Sequence, residues 1–171
     1  AAPHNVLVKA PELIAKHADL APPPQQYSYA DSLAGATATR EGGRVGGVDL
    51  VLGGSAHPSW HWDKASGRWV RLQDGAADTD SNGAQLSAAN VVVVRVPVTN
   101  YDGVPKTELI GGGEAWVLSG GGMVHASWSK SDRVAPIRLV DDTGAIIRLA
   151  PGNSWFELVP NSGSVTPLPA S

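Results

Sequence analysis

Asp78, Asp80 and Asn82 stand at alternate positions ahead of Gly83 in the stretch DTDSNG. That is the opening of a calcium loop, with oxygen ligands at positions 1, 3 and 5 and a sharp-turning glycine at 6. Position 12 of such a loop needs a bidentate carboxylate, and here it is Ala89. The flanks, RLQDGAA and LSAANVVVV, are β and loop sequence rather than a pair of amphipathic helices. A plain turn is expected, with no metal bound.

A second cluster of metal-capable side chains is His57, His61 and Asp63 in HPSWHWD. Pro58 and the alternating pattern make this segment extended, so the two histidine Cα atoms stand about 13 Å apart at roughly 3.3 Å per residue. They cannot share an ion, although His61 and Asp63 remain possible co-ligands. The same alternation puts Trp60 and Trp62 together on the opposite face, the pattern of a half-buried strand with an aromatic inner side. His4, beside Asn5 in APHN, is the most interesting lone histidine, because Asn5 can orient it through a hydrogen bond. The simpler reading is that both residues pin a loop through backbone groups. No G-x-S-x-G elbow, H-E-x-x-H pair or phosphate-cradling loop is present, and no catalytic triad can be assembled from the spacing. No catalytic residue and no cofactor are assigned.

The elements that must position these residues are β-strands. The chain has 171 residues, 42% of them hydrophobic, which is enough for a core, and its 20 glycines and 13 prolines punctuate it into short pieces. The net charge of -3 comes without a basic block, which excludes nucleic acid as the main partner. Zero cysteines exclude disulfides, thiolate metal sites and a cysteine nucleophile. No apolar run reaches the roughly twenty residues of a membrane-spanning helix.

Pro11, followed by Leu13, Ile14 and Ala18, predicts one short helix, which the prolines at 22–24 terminate. From Gly47 onward the text reads strand, turn, strand, with hairpin turns at DKASG, at GGG (120–122) and at DDTG (141–144). Four consecutive valines, Val91 to Val94, predict a strand buried on both faces, and Pro97 belongs at a strand end or edge. The expected fold is mainly β, an antiparallel β-sandwich or irregular barrel with one short N-terminal helix. Its expected division is 1–22 as the end of an upstream domain, 23–46 as a connector, 47–160 as the β domain and 161–171 as a mobile tail. Val6, Leu7, Val8, Leu13 and Ile14 are too few to form a core and must pack elsewhere, on the β domain or on the upstream one.

The order of APHNVLV, SWHWDKASGRWVRLQDG, DTDSNGAQLSAANVVVVRV, GGGEAWVLSGGGMVHASWSK and DDTGAIIRLAPGNSWFELVP resembles the YerB-like family of bacterial lipoproteins, a domain of unknown function. The resemblance runs over nearly the whole chain. It implies that a first domain precedes this one, with APHN near that domain's end, which favours packing of the N-terminal segment on that domain. It also implies an extracytoplasmic setting, with anchoring through a lipoprotein signal absent from this chain, and it implies no established reaction. Arg71, Asn90, Trp128 and Lys130 fall on positions of the family pattern, and Asp78 on a commonly acidic one. The bland roles are a turn cap for Asn90, core packing for Trp128 and a solvent-end position on the same strand face for Lys130.

These residues support an interaction or scaffold module whose partner is the upstream domain. Cell-wall glycan or another envelope protein are further candidate partners. Two alternatives have distinct signatures. Exposed Trp60, Trp62, Trp69 and Trp128 would mark a glycan-binding module, while a cleft around His4 would mark a share in a cell-wall-acting enzyme.

Overall fold

The computed structural model describes residues 9–21 and 25–170. His4, Asn5 and the apolar run Val6–Val8 lie outside the described residues. The elements are helix α1 (Ala10–Lys16), a 3-10 turn (Leu33–Gly35) and helix α2 (Thr37–Glu41), followed by thirteen strands. The strands are β1 (Gly43–Val51), β2 (Pro58–Asp63), β3 (Arg68–Gln73), β4 (Ala76–Ala77), β5 (Ser87–Ala88), β6 (Asn90–Val96) and β7 (Val98–Tyr101). They continue with β8 (Val104–Thr107), β9 (Gly111–Ser119), β10 (Gly122–Lys130), β11 (Arg138–Val140), β12 (Ser154–Pro160) and β13 (Ser164–Pro169).

Eleven strands join one curled mixed sheet, whose main path is β12-β6-β9-β10-β1-β2-β3-β4, with β5, β11 and β13 attached to β3, β10 and β1. β7 and β8 form a separate two-stranded hairpin. The fold is mainly β, as the periodicity requires. Every pair of the main sheet is antiparallel except β12 with β6, which is parallel and runs from Ser154↔Asn90 to Pro160↔Val96. No hairpin turn announces such a pair, so the sequence gives no local signal for it.

The valine run behaves as its composition demands. Val92, Val94 and Val96 enter one core with Val117, Trp128, Ile147 and Leu149. Val91 and Val93 enter the other, with Val48, Leu50, Trp60, Trp69 and Leu118. β6 is thus the strand on which both cores rest, and each fully buried valine contributes about 2 kcal/mol of burial free energy. Pro97 sits between β6 and β7, where its missing N–H breaks no ladder bond.

Two expectations are corrected. Within 23–46, the connector contains α2 and the first residues of β1. α2 is one turn long and has no side-chain cap, so propensity does not announce it. Tertiary bonds hold it: Thr37 N–H donates to the Arg148 carbonyl at 2.9 Å, and Arg148 N–H donates to Thr37 Oγ1 at 2.9 Å. Its Ala38 is fully buried, and the Ala38 carbonyl lies 2.0 Å from where a Cβ on Gly122 would stand, so only glycine lets β10 pass beneath the helix. The second correction is the tail. Residues 164–169 form β13, in register with β1 from Val51↔Ser164 to Val45↔Pro169. Its prolines mask the strand, yet an edge strand with one ladder partner accommodates them, and backbone pairing needs no apolar pattern.

Candidate functional site

The β2–β3 hairpin closes at the predicted turn, with Asp63↔Arg68, Trp62↔Trp69 and Trp60↔Arg71 in register. Asp63 accepts the N–H groups of Ala65 and Ser66, and Gly67 takes a positive φ of 65° to complete the loop. These hydrogen bonds hold the Asp63 carboxyl below its usual range, the Ser66 side chain first and the Ala65 N–H next. The register places Trp60 and Arg71 side by side on the inner face. β12 answers from across the core, since its alternation turns Trp155, Glu157 and Val159 toward the same space.

There the side chains form a charged lock in an apolar surround. Trp60 Nε1–H donates to Glu157 Oε1 at 2.9 Å, and Arg71 Nε–H donates to the same oxygen at 3.3 Å. Arg71 Nη1 pairs with Asp78 Oδ2. The guanidinium lies over the Trp155 ring, 5.4 Å from its centroid, and Trp60 packs against Trp155 at 5.4 Å. The Arg71 and Glu157 side chains are only 11% and 6% exposed. Both charges are therefore desolvated and each depends on the other. Arg71 also fixes the loop beyond it, because its carbonyl accepts from Asp78 N–H at 3.1 Å and from Gln85 Nε2 at 2.9 Å.

The DTDSNG segment is the tip of that loop and forms a turn. Asp80 Oδ1 accepts the N–H groups of Asn82 at 2.8 Å and Ala84 at 3.1 Å, while Gly83 N–H donates to the Asp80 carbonyl at 3.0 Å. The two acids of the apparent calcium series point to different partners: Asp78 to Arg71, Asp80 to its own turn. Among the described residues no three His, Cys, Asp or Glu side chains are placed to hold a metal ion.

The structure brings Arg71 and Asp78 together and sets Asn90, Trp128 and Lys130 apart from them, while His4 and Asn5 lie outside the described residues. Asn90 is fully buried and uses its whole amide. Its Nδ2 donates to the Ala150 carbonyl at 2.9 Å and to Ser154 Oγ at 3.1 Å, while Oδ1 accepts from Ser119 Oγ at 2.6 Å and Ala150 N–H at 2.8 Å. It ties the start of β6 to β9 and to the approach to β12. Trp128 is a core residue whose Nε1–H donates to the Arg95 carbonyl at 2.8 Å. Lys130 Nζ donates to the carbonyls of Ala135 and Arg133, closing the loop that follows β10. His57 and His61 line a shallow groove of about 600 Å³ with Asp49, Ser59, Leu72 and Asp74 on the outer face of β1, β2 and β3.

Sequence reasoning missed Glu157, although its signal was present: a lone acid within SWFELVP, on the apolar side of a strand, needs a buried cationic partner. It also missed His125. This imidazole bridges two acids, with Nδ1 at 2.6 Å from Asp142 and Nε2 at 3.0 Å from Glu114, and stands edge-on to Trp116. The bonds to Asp142 and then to Glu114 raise its pKa above the usual histidine value. The group is half exposed and clamps β10 to β9 and to the turn after β11.

A family model described as the C-terminal domain of a protein of unknown function (DUF3048) matches residues 48–156. The fold is similar to the crystal structure of the YerB protein from Bacillus subtilis, with a TM-score of 0.67 and 17% sequence identity. That similarity covers 92% of this chain and 52% of the YerB chain, so the chain spans about half the length of that protein. No curated protein matches the sequence.

Proposed function

Because the chain belongs to the DUF3048 family of unknown function, whose C-terminal domain it carries, we propose that it is an interaction module of a cell-envelope lipoprotein, docking on an upstream domain of the same polypeptide. The observation that supports this reading is the β7–β8 hairpin. It is closed by Asp102 and Gly103, both at positive φ, and none of its residues is buried. Tyr101 and Val104 at its tip are 69% and 64% exposed. An isolated two-stranded hairpin is marginal in water, so a partner surface is its natural complement.

The hairpin also has one open edge. Glu108 N–H donates to the Pro97 carbonyl at 3.0 Å, and the register pairs Thr99 with Lys106 and Tyr101 with Val104. By antiparallel alternation, Val98 and Asn100 turn their N–H and C=O groups outward. Pro105 removes a donor from the opposite edge. The edge offered is therefore β7. An upstream domain is the chosen occupant because the YerB chain is about twice as long as the region matched here.

The envelope setting rests on the resemblance to YerB-like lipoproteins. The glycan reading loses its support, since Trp60, Trp69 and Trp128 are buried and Trp62 packs on Trp69 at 5.1 Å. Amide exchange of residues 98–107 tests the proposal, comparing this chain with a polypeptide that carries the upstream domain. Protection in the longer protein that Tyr101→Ser/Val104→Ser abolishes is expected. Equal exchange in both proteins overturns the proposal.

A further inference from the structure

We propose that α1 docks into an apolar groove of its own β domain, formed by the segment 25–28 and the residues around β11. The argument begins with the helix. α1 is seven residues long, has no side-chain cap at Lys9 and buries no residue, and its Leu13 and Ile14 are 49% and 70% exposed. Helices below roughly 12 residues are marginal in water unless an apolar face is covered. The sequence invests in this one nonetheless, with Pro11 in the first turn, Glu12 near the N-terminus and Lys16 in the last turn. A helix so specified and so short needs a surface.

The surface nearest along the chain is a groove of about 370 Å³ lined by Tyr27, Ser28, Ile137, Arg138, Ile146 and Ile147. Its floor belongs to the first core, where Tyr27 stacks on Phe156 at 4.9 Å, while Ile146 at its rim is more than half exposed. Leu20, itself exposed, is five residue steps from Gln25, which also borders the groove. Five steps reach at most about 18 Å. A covalent tether that short keeps the helix near the groove, so modest contacts suffice for docking. Arg138, the charged residue of the lining, forms no ion pair among the described residues, and Asp19 just after the helix complements it, while Glu12 is paired with Lys9 at 3.1 Å. Docking assigns α1 to the β domain rather than to whatever precedes residue 9.

The chain has no cysteine, so paired cysteines report the geometry without interference. In Ile14→Cys/Ile146→Cys, mild oxidation is expected to give a disulfide within the monomer. Ala15→Cys/Ile146→Cys, with the cysteine turned about 100° around the helix from Ile14 and away from Leu13, is expected to oxidise far more slowly under the same conditions. In parallel, Leu13→Ser/Ile14→Ser is expected to speed amide exchange at 137–139 and 146–147 while leaving β6 and β9 protected. Cross-linking only between two molecules, equal cross-linking by both pairs, or unchanged exchange at the groove would each overturn the proposal.

Discussion

Replacing Arg71 by Met tests whether the charged lock holds β3 to β12. The substitution keeps an unbranched apolar stem but leaves Glu157, only 6% exposed, with Trp60 Nε1 as its remaining strong donor. At the observed 3.3 Å, unit charges attract by about 5 kcal/mol at an effective dielectric of 20, most of it offset by desolvation when both partners are present. Removing one partner strands the other, and the expected loss is about 3–5 kcal/mol of unfolding free energy. Stacking on Trp155 accounts for about 0.5–1 kcal/mol of that figure. In a domain of this size such a loss lowers the melting midpoint by roughly 10 °C.

The informative companion is Glu157→Gln, which keeps an acceptor for Trp60 and removes the charge. If the lock is a mutual compensation of buried charges, the double variant is less damaged than the sum of the singles, with a coupling of about 2 kcal/mol. Urea unfolding followed by tryptophan fluorescence measures all four proteins, because Trp60 and Trp155 sit at the site. A cost below about 1 kcal/mol for Arg71→Met, or strictly additive singles, refutes the reasoning.

Two further outcomes follow from the geometry. The His125 pKa is raised in the folded state, so its bridge to Asp142 and Glu114 adds full stability below the ordinary histidine value and loses it as pH rises through the folded one. Thermal melts between about pH 5.5 and 8 should show this decline, and His125→Gln should flatten it; an unchanged slope in the variant would count against the clamp. Calcium titration of the intact chain by calorimetry should give no saturable micromolar heat, since Asp78 is committed to Arg71 and Asp80 to its own turn. A site that appears there and vanishes in Asp80→Ala would contradict that assignment.

Local rules made much of this fold legible. Pro11 and the Leu13–Ile14 pair marked α1, the Asp63–Gly67 turn marked the β2–β3 hairpin, and Gly120–Gly121 marked the tight β9–β10 connection with both residues at positive φ. The same chemistry stands at Asp74-Gly75 and Asp102-Gly103, where positive φ at both residues closes β3–β4 and β7–β8, but neither pair is among the turns read from the sequence. What periodicity does not carry is partner choice across distance. Nothing near Ser154 indicates that β12 runs parallel to β6, and nothing near Ser164 indicates β1. Among the site residues, Arg71 and Asp78 were found through the family pattern, and Glu157 was missed because an acid in a strand is ordinarily read as its solvent face. Asn90 was expected to cap a turn, and with four internal hydrogen bonds it proves a buried tie between strands.

The parallel pairing of β12 with β6 also orders events in time. Hairpins such as β2–β3 and β9–β10 join neighbours and close in microseconds, whereas β12 must find β6 across the whole segment that carries β7 to β11. β13 then has to return to β1, close to the start of the sheet. Until residues 154–169 leave the ribosome, β6 lacks one neighbour and β1 lacks its ladder with β13, so apolar strand edges stay open to mispairing until then. Completion of this sheet therefore waits for β12 and β13, and residues 154–169 set when the domain becomes safe from aggregation.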